Sequence, residues 1–197
     1  MNSESKPRTQ AGRSAETRDR ILDAVVEIAR TRGASHVTID AVTRASGMSK
    51  GGVLHHFPSK DALLKAMIAR KVERLRADCA DRRGALSDRP NPTLRAILSV
   101  LTEKLDEDEG LPGAILAASA ENPSLLEPVR REFEALWADI RAETGDPDAA
   151  FAIWCAMEGL RLIRVFGMSP DGPGLERRAV AAIERMIDQL PGKESDR

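Results

Sequence analysis

The sequence predicts an all-α protein of about nine helices, a small three-helix N-terminal head followed by a larger helical body. Three observations carry this. No segment alternates apolar and polar residues as a strand would. From Ile21 to Leu190 the apolar residues recur at three- and four-residue spacing. The breaks between these stripes carry Ser, Thr or Asp where a helix would begin and Gly or Pro where one would end. A chain of 197 residues, 42% apolar and 31% charged, has enough apolar surface for a packed core and is too mixed for a disordered tail.

Residues 1–13 are polar and are expected to be a flexible terminus. The first helix is expected from Ala15 to Arg32, capped by Ser14, striped by Ile21, Leu22, Val25, Ile28 and Ala29, and stopped by Gly33. Two short helices follow between Thr38 and Lys60. Thr38 caps the first, Ile39, Val42 and Ala45 are its apolar face, and Gly47 ends it in the left-handed conformation that glycine adopts cheaply. Ser49 caps the second, Lys50 to His56, which Phe57-Pro58 closes. Two glycines in two turns make that helix weak by propensity. Its lysine, hydroxyl cap, glycines and histidines suit close approach to a phosphate backbone and a groove, the pattern of a helix-turn-helix.

From Glu16 to Leu64 the chain resembles the DNA-binding domain of the tetracycline-repressor (TetR) family. The likeness rests on Ile21, Ala24, Ala29, Gly33, Thr38, Ile39, Val42, Ala45, Gly47, Ser49, Lys50, Gly51, His56, Phe57, Lys60, Leu63 and Leu64 at fixed spacing. Leu54 departs from the family pattern, which usually has a phosphate-touching tyrosine there. The resemblance implies a DNA-binding domain over residues 14–60 and a ligand-binding and dimerisation domain over 61–190. Thr38, Ser49, Lys50, Gly51, His55, His56 and Lys60 are the expected DNA-contacting residues. Lys50 adds its charge to the partial positive end of its helix, and Thr38 and Lys60 start the flanking helices.

In the body, Ser59 caps a long helix that carries Leu63, Leu64, Met67, Ile68, Val72 and Leu75 to about Arg82. A linker over 87–92 leads to a helix from Thr93 to Asp106, and the acidic run Asp106–Gly110 should be a solvated loop. A short helix spans Pro112 to Ala120. Ser124 and Glu127 form a capping-box signature for the next, which runs to Gly145 with Phe133, Leu136, Trp137 and Ile140. Asp146-Pro147 opens a helix that is apolar on most sides and so needs cover on more than one face. The last helix ends near Leu190, and residues 191–197 are expected to be flexible.

Net charge is −1, but residues 1–60 hold ten Lys/Arg against six Asp/Glu and the remainder twenty against twenty-five. A basic head on an acidic body suits nucleic-acid contact by one end. No apolar run is long enough for a membrane span, no signal-peptide core is visible, and Cys79 and Cys155 show no metal-ligand spacing. A cytoplasmic protein with no cofactor, no metal and no catalytic motif is expected, with Cys155 a buried, inert thiol in its apolar helix. Ile97, Leu101, Phe133, Trp137, Trp154 and Met157 are the candidate lining of an apolar effector site, and Glu158 with Arg161 is either a polar pair of that site or a simple ion pair. Ala152, Ala156 and Gly159 fall on one helical face and, with Ala179, Ala182, Ile183 and Met186, make a candidate homodimer interface. The function expected is a ligand-responsive regulator, a repressor released from a palindromic double-stranded operator. The alternative is a helical small-molecule binding protein or enzyme whose head docks protein.

Overall fold

The computed structural model describes residues 10–104, 111–170 and 172–193. Nine α-helices and two short 3-10 turns account for the described residues, with one isolated β-bridge and no strand. The chain divides into two compact units between Met67 and Ile68. That division falls within a helix, two turns beyond the boundary expected at residues 60 and 61, because Leu63, Leu64 and Met67 are buried with the first unit.

The first unit holds α1 (Gln10–Arg32), α2 (Ile39–Ser46), α3 (Lys50–His56) and the first turns of α4 (Lys60–Ala85). α1 begins at Gln10, so residues 10–13 are helical rather than a flexible arm and Ser14 does not cap. Gln, Ala and Arg are good helix formers, and Thr17 Oγ1 donates to the Arg13 carbonyl within the same turn. Residues 1–9 lie outside the described part. Ile21, Leu22, Val25, Val37, Val42 and Val53 have no exposed surface, and each such burial contributes about 1.5–3 kcal/mol. Phe57 is buried too, with the Arg18 guanidinium 5.2 Å from its ring centroid.

The second unit holds the rest of α4, α5 (Pro92–Lys104), α6 (Leu111–Glu121), α7 (Glu127–Glu143), α8 (Pro147–Val165) and α9 (Pro173–Gln189). The side chain of Lys104 and residues 105–110, with the expected acidic loop, lie outside the described residues. Leu94 and Leu98 of α5, Ile140 of α7, Ile153, Met157 and Leu160 of α8, and Ile187 of α9 form its core. α8 starts as expected: Asp146 Oδ1 accepts the Ala149 N–H at 3.0 Å, and Pro147 follows. The capping box is not formed. Asn122 instead caps a 3-10 turn over Pro123–Leu126, Ser124 Oγ donates to Asn122 Oδ1, and Glu127 pairs with Arg131, because the proline after Asn122 sets the turn one step earlier.

The chain after α9 is fastened, contrary to the flexible tail expected from residue 191. Thr144 and Gly192 form an antiparallel bridge, Gly145 N–H donates to the Pro191 carbonyl at 2.8 Å, and Lys193 N–H to the Glu143 carbonyl at 2.8 Å. Close backbone approach requires the glycines: a Cβ on Gly145 would lie 3.1 Å from the Gly192 carbonyl oxygen. Asn91, at φ 56°, donates from Nδ2 to the Leu190 carbonyl at 2.9 Å, and Glu143 accepts from both Thr93 N–H and Thr93 Oγ1 at 2.8 Å. Residues 194–197 lie outside the described part.

Candidate DNA-contacting motif and ligand cavity

The motif from Thr38 to Lys60 is built by its caps. Thr38 Oγ1 accepts the Ala41 N–H at 3.1 Å and Ser49 Oγ accepts the Gly52 N–H at 3.1 Å, each satisfying an orphan donor of its helix. Gly47 sits at φ 68°, ψ 15°, the left-handed stop between the helices. Val42 of α2 and Val53 of α3 face inward, which turns the polar side of α3 outward.

On that side Ser49, Lys50, Gly51, Leu54 and His55 are exposed, as is Thr38 ahead of α2. His56 is half-buried, its ring centroid 5.3 Å from that of His55 and 6.4 Å from Phe57, so the two histidines face different surroundings. A Cβ at Gly51 would meet nothing within 4 Å, whereas one at Gly52 would lie 3.2 Å from Ser49 Oγ. Gly52 therefore serves the cap and Gly51 leaves the outer surface open. Two contacts were invisible to sequence spacing. Lys50 Nζ pairs with Asp40 Oδ1 at 3.0 Å, and Lys60 Nζ donates to the Ser35 carbonyl at 3.2 Å. The helix periodicity alone could have placed Asp40 on the outer face of α2.

The second unit holds a partly open cavity of about 230 Å³, bounded by α4, α5, α6, α7 and α8. Ile97, Leu101, Phe133 and Met157 line it, as the sequence reading placed them. Trp137 and Trp154 do not. Their rings stack at 6.1 Å and 10°, and Trp154 also lies 5.0 Å from Phe133, so the indoles fill the layer behind Phe133. The sequence reading missed the α4 wall, Ile68, Val72 and Leu75, and the α6 wall, Leu111, Ile115 and Leu116. The α4 stripe was the available signal, spaced one turn apart along a single face. Glu158 and Arg161 are both cavity wall and ion pair, with Arg161 Nε donating to Glu158 Oε2 at 2.8 Å. Among the described residues no three His, Cys, Asp or Glu side chains gather as a metal site would require, and no helix is long and apolar enough to cross a membrane.

α8 leaves part of its apolar surface uncovered. Ala152, Cys155 and Ala156 are exposed, and a Cβ at Gly159 would meet nothing within 4 Å. Cys155 is thus not the buried thiol expected; it lies on the face of α8 turned from the core. On α9, Ala179 and Ala182 are half-buried and Met186 is exposed. Ile183 belongs to the chain's own core at 5% exposure and is not available to a partner.

An exposed, capped helix-turn-helix together with an apolar cavity in a separate helical unit defines a ligand-responsive DNA-binding transcriptional regulator. Comparison with known proteins gives the lineage. Residues 21–67 match the family described as bacterial regulatory proteins, tetR family, and residues 91–188 match the tetracyclin repressor-like C-terminal domain. The chain is 26% identical over 169 residues to the HTH-type transcriptional regulator CymR of Pseudomonas putida, covering 81% of this chain and 83% of that protein. A putative TetR-family regulator from Mesorhizobium loti superposes with a TM-score of 0.72 at 19% identity, over 91% of this chain and 98% of that one. The multidrug binding protein EbrR, crystallised with malachite green, gives 0.69 at 24% identity, over 86% and 96%. The protein belongs to the TetR family of transcriptional regulators.

Proposed function

We propose that the protein is a homodimeric repressor that holds a near-palindromic operator and releases it when a mainly apolar molecule enters the cavity of its second unit. The observation that carries this reading is the cavity itself: an apolar space whose α4 wall belongs to the same helix that supplies Leu63, Leu64 and Met67 to the first unit. A ligand favouring one position of α4 shifts DNA affinity only through its differential affinity for that state. One matching family profile is described as repressor-like, and EbrR, a neighbour in fold, holds a dye.

In this reading Lys50 meets a phosphate, Gly51 lets the backbone come near, and Thr38, Ser49 and Lys60 reach phosphates beside it. His55 faces the groove, and His56 braces α3 from the side. The uncovered face of α8, Ala152, Ala156 and Gly159, meets its copy together with Ala179, Ala182 and Met186 of α9 in a four-helix contact. Two-fold symmetry then places the half-sites roughly 34 Å apart if they lie one helical turn from each other. The test is a mobility shift with the DNA flanking the protein's own gene, followed by a thermal-shift ligand screen. Specific retention that a stabilising ligand reverses is the expected result, and retention of random DNA with equal affinity would remove the operator-binding role.

A further inference from the structure

The charged groups around the cavity are Lys71 and Arg76 of α4, Glu132 of α7, and Glu158 and Arg161 of α8. A count gives three cations against two carboxylates and would favour an anionic ligand. Position reverses that count. Arg76 is 66% exposed and extends into solvent, whereas Glu132 is 13% exposed. Arg161 is spent on Glu158, to which it donates from two nitrogens, and Lys71 is also engaged. Glu132 has Arg76 as its ion-pair partner, Nε to Oε2 at 3.5 Å, beyond the usual hydrogen-bond length. The carboxylate is therefore largely withdrawn from water, on the wall of an apolar space, and short of donors. A half-buried carboxylate in that condition gains from a charged or N–H donor and repels a second anion.

We propose that Glu132 is the specificity-determining residue of the cavity and that its ligand is an amphiphilic amine, an apolar body carrying a cationic nitrogen. This rests on the reading of the cavity as the effector site and adds the chemical class of the effector. The apolar body occupies the walls formed by Ile97, Leu101, Ile115, Phe133 and Met157, and the nitrogen donates to Glu132 in place of the long Arg76 contact.

The test uses three probes of one chain length, decylamine, 1-decanol and decanoate, titrated calorimetrically into the full-length protein without DNA. Decylamine should bind roughly ten- to a hundredfold more tightly than the other two, the range expected of a hydrogen bond to a charged group. Glu132→Gln should erase that preference while leaving decanol binding unchanged, and Glu132→Asp, which keeps the charge, should retain most of it. If Glu132→Gln fails to fold, the wild-type ranking and Glu132→Asp decide the matter. Decanoate or decanol binding as tightly as the amine, no measurable decylamine binding, or an amine preference that survives Glu132→Gln would each overturn the proposal. DNA release is read separately by fluorescence anisotropy. An amine that binds through Glu132 but leaves DNA bound keeps the ligand class and removes the regulatory role.

Discussion

The two units solve opposite problems. In the first, the residues offered to a partner stand outside, and those that hold the shape are within a turn or two of them: Thr38 and Ser49 cap their own helices while Val42 and Val53 anchor them. In the second, the candidate site faces inward and is assembled from five helices that span residues 68 to 165. A surface reader can be specified by one short stretch, whereas a cavity must be specified by everything that fails to fill it. The first unit is consequently sensitive to single backbone and cap positions, and the second to side-chain volume.

The sharpest break between the two would come from Phe57→Ala. Loss of this buried ring should cost about 3–5 kcal/mol in the first unit and abolish DNA binding in a mobility shift. Calorimetric ligand binding by the second unit should survive, and its loss would show that the units do not act separately. Gly159→Glu comes next. A charge on the uncovered face of α8 should convert the proposed dimer to monomer in sedimentation at low micromolar concentration, and a dimer that persists in the variant would move the interface elsewhere. Lys50→Ala should weaken binding to all DNA sequences alike and flatten the salt dependence by about one charge per subunit. An unchanged slope would detach α3 from the backbone. The smallest effect is expected at Trp137→Phe. The indole lies behind Phe133 and outside the cavity, so ligand affinity should stay within about threefold. A larger loss would return the tryptophans to the site.

Much of the first unit was legible because its determinants are local. The caps at Thr38 and Ser49 and the glycine stop at Gly47 act within four residues, so spacing alone locates them. The ion pair of Lys50 with Asp40 was hidden, since it depends on how α2 and α3 cross. In the second unit the helices were readable from their stripes, but stripes do not reveal what each faces. Trp137 follows Phe133 one turn on along α7 yet stacks on Trp154 of α8, and Ile183 turned to the core although its neighbour Ala182 is less buried. Cys155 was misplaced for the same reason: an apolar helix looks uniformly buried in sequence, and its partly uncovered face becomes visible only once the neighbouring helices are in place. Residues 191–193 read as a loose end because their partners, Glu143, Thr144 and Gly145, lie nearly fifty positions away.

The pairing of Lys50 with Asp40 gives the free protein an internal stand-in for the DNA it is proposed to bind. Away from an operator the ammonium rests on a carboxylate 3.0 Å away, with both side chains 62% exposed, a bond worth at most about 1 kcal/mol. In the proposed docking a phosphate takes the place of this carboxylate on Lys50, and Asp40 is left facing the DNA backbone. That exchange is the same on any duplex, so discrimination rests on the base contacts made beside it. In the proposed contact, Asp40 at the start of α2 thus sets a small cost that a duplex must offset before Lys50 gains from its phosphate.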